Sequence, residues 1–325
     1  MLDPETQPTR PPPRLMAAPT RSDLDAAAAV VAAHLAPTTL VPAPALGDRV
    51  HLKLETLQPT GSFKVRGALA ALARVGGDRP VVTASAGNAG LGIAWAASVL
   101  GVRATVVVAE TASPAKVAAL RALPVELIQR GADYDEAEAH ALSLQGATYV
   151  SSYNDTGVIA GQSTLGRELD VQLPGPLTVA TPLGGGSLTA GLGLWAARRA
   201  GARVVGVEAE RSPAFSTALA AGRITPFEVG DTLADGLAGN LEPGAVTFEL
   251  VRDHVAAVVQ ASEAEIEEAI RFLARAHGIV AEGAGAAAVA GVMAGRVERG
   301  DEPLVAVVSG RNIALPRLAA ILAAA

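Results

Sequence analysis

The sequence predicts an α/β fold with parallel-rich sheets covered by helices. Two observations lead there. From residue 81 onward, short β-branched runs alternate with longer helix-forming runs, the rhythm of parallel strands joined by crossover helices. Gly- and Ser-rich turns stand directly after three of the strands, at Ser85, Gly184 and Ser309. Ligands of open parallel sheets bind off the carboxyl ends of strands, so three such turns can converge on one crevice.

The elements follow in order. Ser22 is a candidate N-cap for a helix over 26–35, with Asp23 and Asp25 in its first turn. The proline-rich segment 37–46 breaks it, and 50–55 alternates in polarity as a half-buried strand does. The stretch Gln58-Pro59-Thr60-Gly61-Ser62-Phe63-Lys64-Val65-Arg66-Gly67-Ala68 then sets one lysine between a turn and a helix over 65–74. Strands at 81–84, 104–109, 125–128 and 148–150 alternate with helices at 93–100, 113–123, 134–144 and 157–169. The pattern resumes with strands at 177–181, 203–208, 255–260 and 304–308. Its helices are 187–200, 212–221, 262–276, the small-residue run 282–296, and 314–322, while 230–244 reads as loop. No repeat of solenoid period is present.

With 325 residues the chain has room for one large or two ordinary domains. Half of it is hydrophobic but only 3% is aromatic, so the core must be built of Ala, Val and Leu. A net charge of −6 argues against nucleic acid as the main partner. Without cysteine there are no disulfides, iron–sulfur clusters or Cys-type zinc sites. The five histidines form no His-x-x-x-His pair, and no Gly-x-Ser-x-Gly elbow exists, so metal and serine hydrolases have no support. Residues 1–20 hold six prolines and read as a flexible tail rather than a secretory signal. The most apolar run, 89–102, is shorter than the ~20 residues of a membrane span, so a soluble cytoplasmic protein is expected.

Each chemical feature has two readings. Gly184-Gly185-Gly186-Ser187 can cradle a phosphate through N–H groups at a helix start, or simply make a tight turn. It lacks the Gly-Lys-Ser/Thr of a P-loop and a clean dinucleotide spacing. Ser85-Ala86-Gly87-Asn88-Ala89-Gly90 can bind a carboxylate, or be a Ser-capped helix start with glycines for close packing. Glu282 is the only acid in a long apolar run, and a dipole-favoured helix-start carboxylate explains it equally well. Ser309-Gly310-Arg311-Asn312 also reads as an ordinary turn. Lys64 alone is best read as an exposed charge, but a lysine of lowered pKa can form a Schiff base with a carbonyl cofactor.

Together these residues resemble the fold-type II pyridoxal-phosphate (PLP) enzymes, in the serine/threonine dehydratase (ammonia-lyase) branch that also contains serine racemase. Residues 59–68 match that branch's cofactor-lysine motif almost throughout. Ser85-Ala86-Gly87-Asn88 is similar to its substrate-carboxylate loop, Val158-Ile159-Ala160-Gly161-Gln162 to a helix segment, and 184–188 to its phosphate loop. Ala234-Asp235-Gly236-Leu237-Ala238 resembles its substrate-side loop, and Glu282-Gly283-Ala284-Gly285-Ala286 and 309–312 resemble its last two motifs. The matches run in the family's order from about residue 38 onward, and Val65 after the lysine fits dehydratases and racemases.

The resemblance implies a two-domain, tryptophan-synthase-β-like fold. Its small domain, 79–155, is inserted in a large one made of 21–78 and 156–325. It implies that Lys64 carries pyridoxal 5'-phosphate and acts as the base at the substrate's α-carbon. Phe63 would flank the ring, Asn88 meet its 3′ oxygen and Ser309 its pyridine nitrogen. Gly184, Gly185, Gly186, Ser187 and Leu188 would hold the phosphate, and Glu282 also counts among the cofactor-binding residues. Ser85, Ala86, Gly87, Asn88 and Ala89 would form the substrate site. The implied reaction is β-elimination from L-threonine, L-serine or a like amino acid, yielding a 2-oxo acid and ammonia. Racemisation or β-replacement on the same scaffold, and a non-catalytic ligand-binding relative, are the alternatives.

Departures sharpen the choice. Ala86 stands where racemases of the branch place a serine, which favours elimination. Ala89, Ser163, Ser187 and Arg311 also replace usual residues. Ala214 stands where a cation site of some relatives needs a carboxylate, so no metal is expected. A homodimer is common in the family, and feedback inhibition by isoleucine is not expected.

Overall fold

The computed structural model describes residues 14–298 and 300–324. It begins with helix α1 (Arg21–His34), strands β1 (Leu40–Pro42) and β2 (Val50–Leu54), and helix α2 (Lys64–Val75). Next come β3 (Val81–Ala84), α3 (Asn88–Leu100), β4 (Ala104–Val108), α4 (Pro114–Arg121), β5 (Glu126–Gln129), α5 (Tyr134–Ser143) and β6 (Thr148–Tyr149). Helix α6 (Thr156–Gln172), β7 (Leu177–Pro182), α7 (Ser187–Ala196), β8 (Ala202–Ala209) and α8 (Ala214–Ala221) follow. The chain closes with α9 (Val246–His254), β9 (Ala257–Ala261), α10 (Glu263–His277), α11 (Gly283–Met293), β10 (Leu304–Val308) and α12 (Leu315–Ala323).

The strands form two sheets. One is six-stranded in the order β1-β2-β10-β7-β8-β9, parallel throughout except for the antiparallel edge pair β1–β2. The other is four-stranded and all parallel, in the order β5-β4-β3-β6. Strand β10 shows why both faces of the larger sheet are covered. Leu304, Ala306 and Val308 pack with α10 and α11 on one side. Val305 and Val307 pack with Leu165, Leu188 and Trp195 of α6 and α7 on the other. Small side chains let α11 lie tight on the sheet: a Cβ at Gly291 would sit 3.0 Å from Val207. Among the described residues no helix is long and apolar enough to cross a membrane.

The sequence expectations need local correction. Helix α1 starts earlier, because Thr20 rather than Ser22 makes the cap. The Thr20 hydroxyl accepts from the Asp23 N–H at 3.2 Å, and the Asp23 carboxylate accepts from the Thr20 N–H at 2.9 Å. Of the expected tail, residues 1–13 lie outside the described residues. Residues 14–20 are docked: Arg14 pairs with Glu242 at 3.0 Å, and the Thr156 hydroxyl donates to the Ala17 carbonyl at 2.7 Å. The proline-rich segment contains an edge strand, where the missing N–H of Pro42 costs little. Helix α9 lies beyond the expected elements; its N-cap residue Ala245 offers no side-chain bond, the Val246 N–H donates instead to Asn154 Oδ1 at 3.0 Å, and the helix buries Val246, Phe248, Leu250 and Val251.

Beneath the start of α2 lies a buried charge network. Arg66 is fully buried and donates to Glu55 at 2.7 and 2.8 Å, and its Nη1 lies 2.6 Å from Glu168 Oε1. The Lys53 ammonium donates to Glu168 at 2.5 Å, to Gln172 at 2.8 Å and to the Thr38 carbonyl at 2.8 Å. Two cations meet two anions, so the charge balances without water. Removing one member strands its partner, so Arg66→Ala should cost about 3–5 kcal/mol of stability. Urea denaturation measures it; a loss below about 1 kcal/mol would show that the network does not hold α2.

Candidate active site

A turn and a bridge deliver Lys64 to the head of α2. The Gly61 N–H donates to the Gln58 carbonyl at 2.8 Å. Gly61 has φ +73°, and a Cβ there would meet Asn312 Oδ1 at 2.6 Å, so a side chain has neither the conformation nor the room. Ser62 pairs with Gly310, the Phe63 N–H donates to the Ser309 carbonyl at 3.0 Å, and the Arg311 N–H donates to the Gly61 carbonyl at 2.9 Å. These bonds place the end of β10, with Ser309, beside the lysine turn. Lys64 is half-buried and is the first residue of α2. Its ammonium donates to the Ser152 carbonyl at 2.8 Å and lies 5.2 Å from the centre of the Phe63 ring. Burial lowers its pKa to about 8, while the charge of Glu282 acts the other way.

The turn after β3 meets this lysine from a second side. Helix α3 already starts at Asn88, so Gly90 and Gly92 are helical rather than loop. They are glycines because backbone presses on backbone: a Cβ at Gly92 would lie 3.2 Å from the Lys64 carbonyl, and one at Gly90 would strike the Ser85 carbonyl. The Ser85 hydroxyl accepts from the Gly87 N–H at 3.2 Å, so that N–H is already engaged. The Asn88, Ala89 and Gly90 N–H groups donate to no backbone carbonyl among the described residues. The open N–H donors of this turn are thus those of residues 88–90.

Asn88 ties this turn to the two C-terminal motifs. Its Nδ2 donates to Glu282 Oε1 at 2.6 Å, and its Oδ1 accepts from Asn312 Nδ2 at 2.6 Å. Glu282 precedes α11 and is 7% exposed; burial pushes its carboxyl up to about 7, against the bond from Asn88. Gly310 leaves room for that carboxylate, since a Cβ there would collide with Glu282 Oε1.

The third turn follows β7. The N–H groups of residues 184–188 have no backbone acceptor among the described residues, although 186–188 are buried. Such a row at the positive end of α7 is a site for an anion. The missing side chains leave space for other groups. A Cβ at Gly184 would lie 2.8 Å from Leu237 Cα, one at Gly185 would strike the Tyr153 ring, and one at Gly186 would lie 2.5 Å from Phe215 Cζ. Gly186 has φ +90°. Tyr153 directly follows Ser152, so one short segment touches both the lysine and the glycine turn. Its hydroxyl accepts from the Glu242 N–H at 2.8 Å. Lys116 of α4 donates to Asp235 at 3.0 Å, joining the turn at 234–238 to the four-stranded part. Ser152, Tyr153 and Phe215 carry no motif chemistry, and only their contacts single them out.

An amine of lowered pKa, linked through Ser152 and Tyr153 to a row of N–H donors without backbone acceptors, suits a ligand that carries an aldehyde and a phosphate. Residues 31–310 match the pyridoxal-phosphate dependent enzyme family. The chain belongs to this family. Its cofactor is pyridoxal 5'-phosphate. It is 40% identical over 274 residues to the L-threonine ammonia-lyase of Thermotoga maritima, covering 82% of this chain and 68% of that one. Its structure is similar to the processed form of threonine deaminase isoform 2 from Solanum lycopersicum, with a TM-score of 0.84 at 30% identity over 96% of this chain and 97% of that one. It is also similar to maize serine racemase, with a TM-score of 0.86 at 26% identity over 94% and 97%.

The Lys64 amine should titrate near 8 in the cofactor-free protein, against about 10.4 for an exposed lysine. Its neutral form then prevails above pH 8. Removing the anion that favours the ammonium, by Glu282→Gln, should lower the midpoint further. Carbon-13 NMR of reductively methylated lysines reads both values; a Lys64 midpoint above 10 would contradict the burial argument.

Proposed function

We propose that this protein is a PLP-dependent lyase that removes the β-hydroxyl of threonine, serine or a like amino acid and releases a 2-oxo acid and ammonia. Lys64 is the observation that carries the reading: an amine with a pKa of about 8, one short segment away from a row of free N–H donors. The 40% identity to a threonine ammonia-lyase supports the reaction class.

When bound, PLP withdraws electrons from the substrate's α-carbon and makes its proton acidic. The residues of this chain do the rest. The Lys64 amine would hold the cofactor by its aldehyde and, once the substrate's own amine displaces it there, would be free to take the α-proton; both roles need the neutral form that burial favours. The N–H groups of 184–188, with the positive end of α7, take the phosphate. Phe63 borders the ring. One Nδ2 hydrogen of Asn88 is spent on Glu282, and the other is left for the ring's 3′ oxygen. Glu282 thereby orients Asn88. The Ser309 hydroxyl would meet the pyridine nitrogen, and it would not enforce full protonation as a carboxylate does. The free N–H groups of Asn88, Ala89 and Gly90, with Ser85, take the amino acid's carboxylate.

A second reading, racemisation, draws on the likeness to maize serine racemase. Ala86 weighs against it, because a methyl group cannot return a proton to the opposite face of the α-carbon. The proposal includes a division into 21–78 with 156–325 and 79–155, which the separate four-stranded sheet supports. It also includes a cytoplasmic setting and a homodimer.

Wild type with PLP should be yellow and release a 2-oxo acid and ammonia from threonine or serine within an amino-acid panel. Lys64→Ala should bring that release below detection and abolish borohydride-trapped cofactor. A colourless protein, or trapping on another lysine, sinks the assignment. Exchange of the α-proton with inversion and no ammonia favours the racemase.

A further inference from the structure

Glu208 is a carboxylate to which the proposed reaction assigns no part. It lies near the end of β8 and is fully buried. Its Oε1 accepts from the Phe215 N–H at 2.6 Å, and its Oε2 accepts from the Ser216 N–H at 2.9 Å and the Ser216 hydroxyl at 2.6 Å. These donors belong to the first turn of α8, whose N-cap residue, Pro213, offers no side-chain bond. A carboxylate there satisfies N–H groups that the helix leaves open and faces the positive end of its dipole. Holding the Phe215 backbone decides where its ring goes. That ring is fully buried and closes the space behind Gly186, 2.5 Å from where a Cβ would stand. Gly186 is in turn the residue from which α7 starts.

We propose that Glu208 is a positioning residue for the cofactor's phosphate: through the first turn of α8 and the Phe215 ring it sets Gly186, and with it the aim of the N–H groups that follow. The inference rests on reading 184–188 as the phosphate site. Hydrogen bonds weaken steeply as their angle opens, so several donors aimed at one anion suffer together when their common base tilts. Lys64 is held by other parts, α2 and the Ser152 carbonyl. The loss therefore falls on the phosphate and spares the amine.

The test compares PLP with pyridoxal, which has the same aldehyde and no phosphate, by absorbance titration of cofactor-stripped protein. Wild type should hold PLP far more tightly than pyridoxal. Glu208→Gln should weaken PLP binding about tenfold, the scale of a lost helix cap, and pyridoxal binding less than about twofold. Ser216→Ala removes only one hydroxyl and leaves both N–H donors, so it should fold and move PLP binding about threefold the same way. Equal losses for the two ligands, or none, overturn the proposal even if Glu208→Gln fails to fold. A wild-type protein that holds both ligands equally instead removes the phosphate reading of 184–188 itself.

Discussion

Arg66 lies two residues beyond Lys64 and enters a site with no access to water, where Glu55 takes it in two hydrogen bonds and Glu168 in a close ion pair. A guanidinium so held cannot shift without leaving a bare carboxylate behind, which anchors the first turn of α2. Lys53, Thr38 and Gln172 complete the network and bring β2 and α6 to the same point. The lysine needs that anchor. Burial lowers the pKa of its amine to about 8, and that burial depends on α3 and the end of β10 packing on the start of α2.

Close backbone approach is the second constraint. Gly92, Gly161 and Gly285 sit where a side chain would strike the carbonyls of Lys64, Arg66 or Gly310. With little aromatic bulk to fill gaps, the protein packs by bringing main chain to main chain. The starts of α3 and α7 leave N–H groups at 88–90 and 184–188 without backbone carbonyl partners among the described residues. Unmet donors at buried helix starts are costly in an empty protein and favourable around a carboxylate or a phosphate.

Much of this was legible in the sequence. Strands β3 and β10 lie where alternating runs predicted them, and the Lys64, Ser85, Gly184 and Ser309 turns all follow strands or open helices as expected. The errors have local causes. Thr20 competed with Ser22 for the same helix start and won because Asp23 could reach back to it. Helix α9 is capped from a distance, its Val246 N–H donating to the Asn154 side chain, so no local capping signal marks its start. Gly90 and Gly92 looked like loop residues, because sequence alone does not reveal that another backbone lies against them.

The sequence by itself determined the fold class, the family and the residue types of the site, because period, turn chemistry and an ordered set of motifs are written along the chain. Only the tertiary structure decided which groups are free to act. It turned the Gly87 N–H to Ser85, left Asn88 with one hydrogen to give, set the Ser152 carbonyl on Lys64, and put the rings of Tyr153 and Phe215 behind the glycine turn. All but the first are contacts between residues far apart in the chain. Hydrogen-bond satisfaction and burial depend on what packs in space, and no local pattern encodes them.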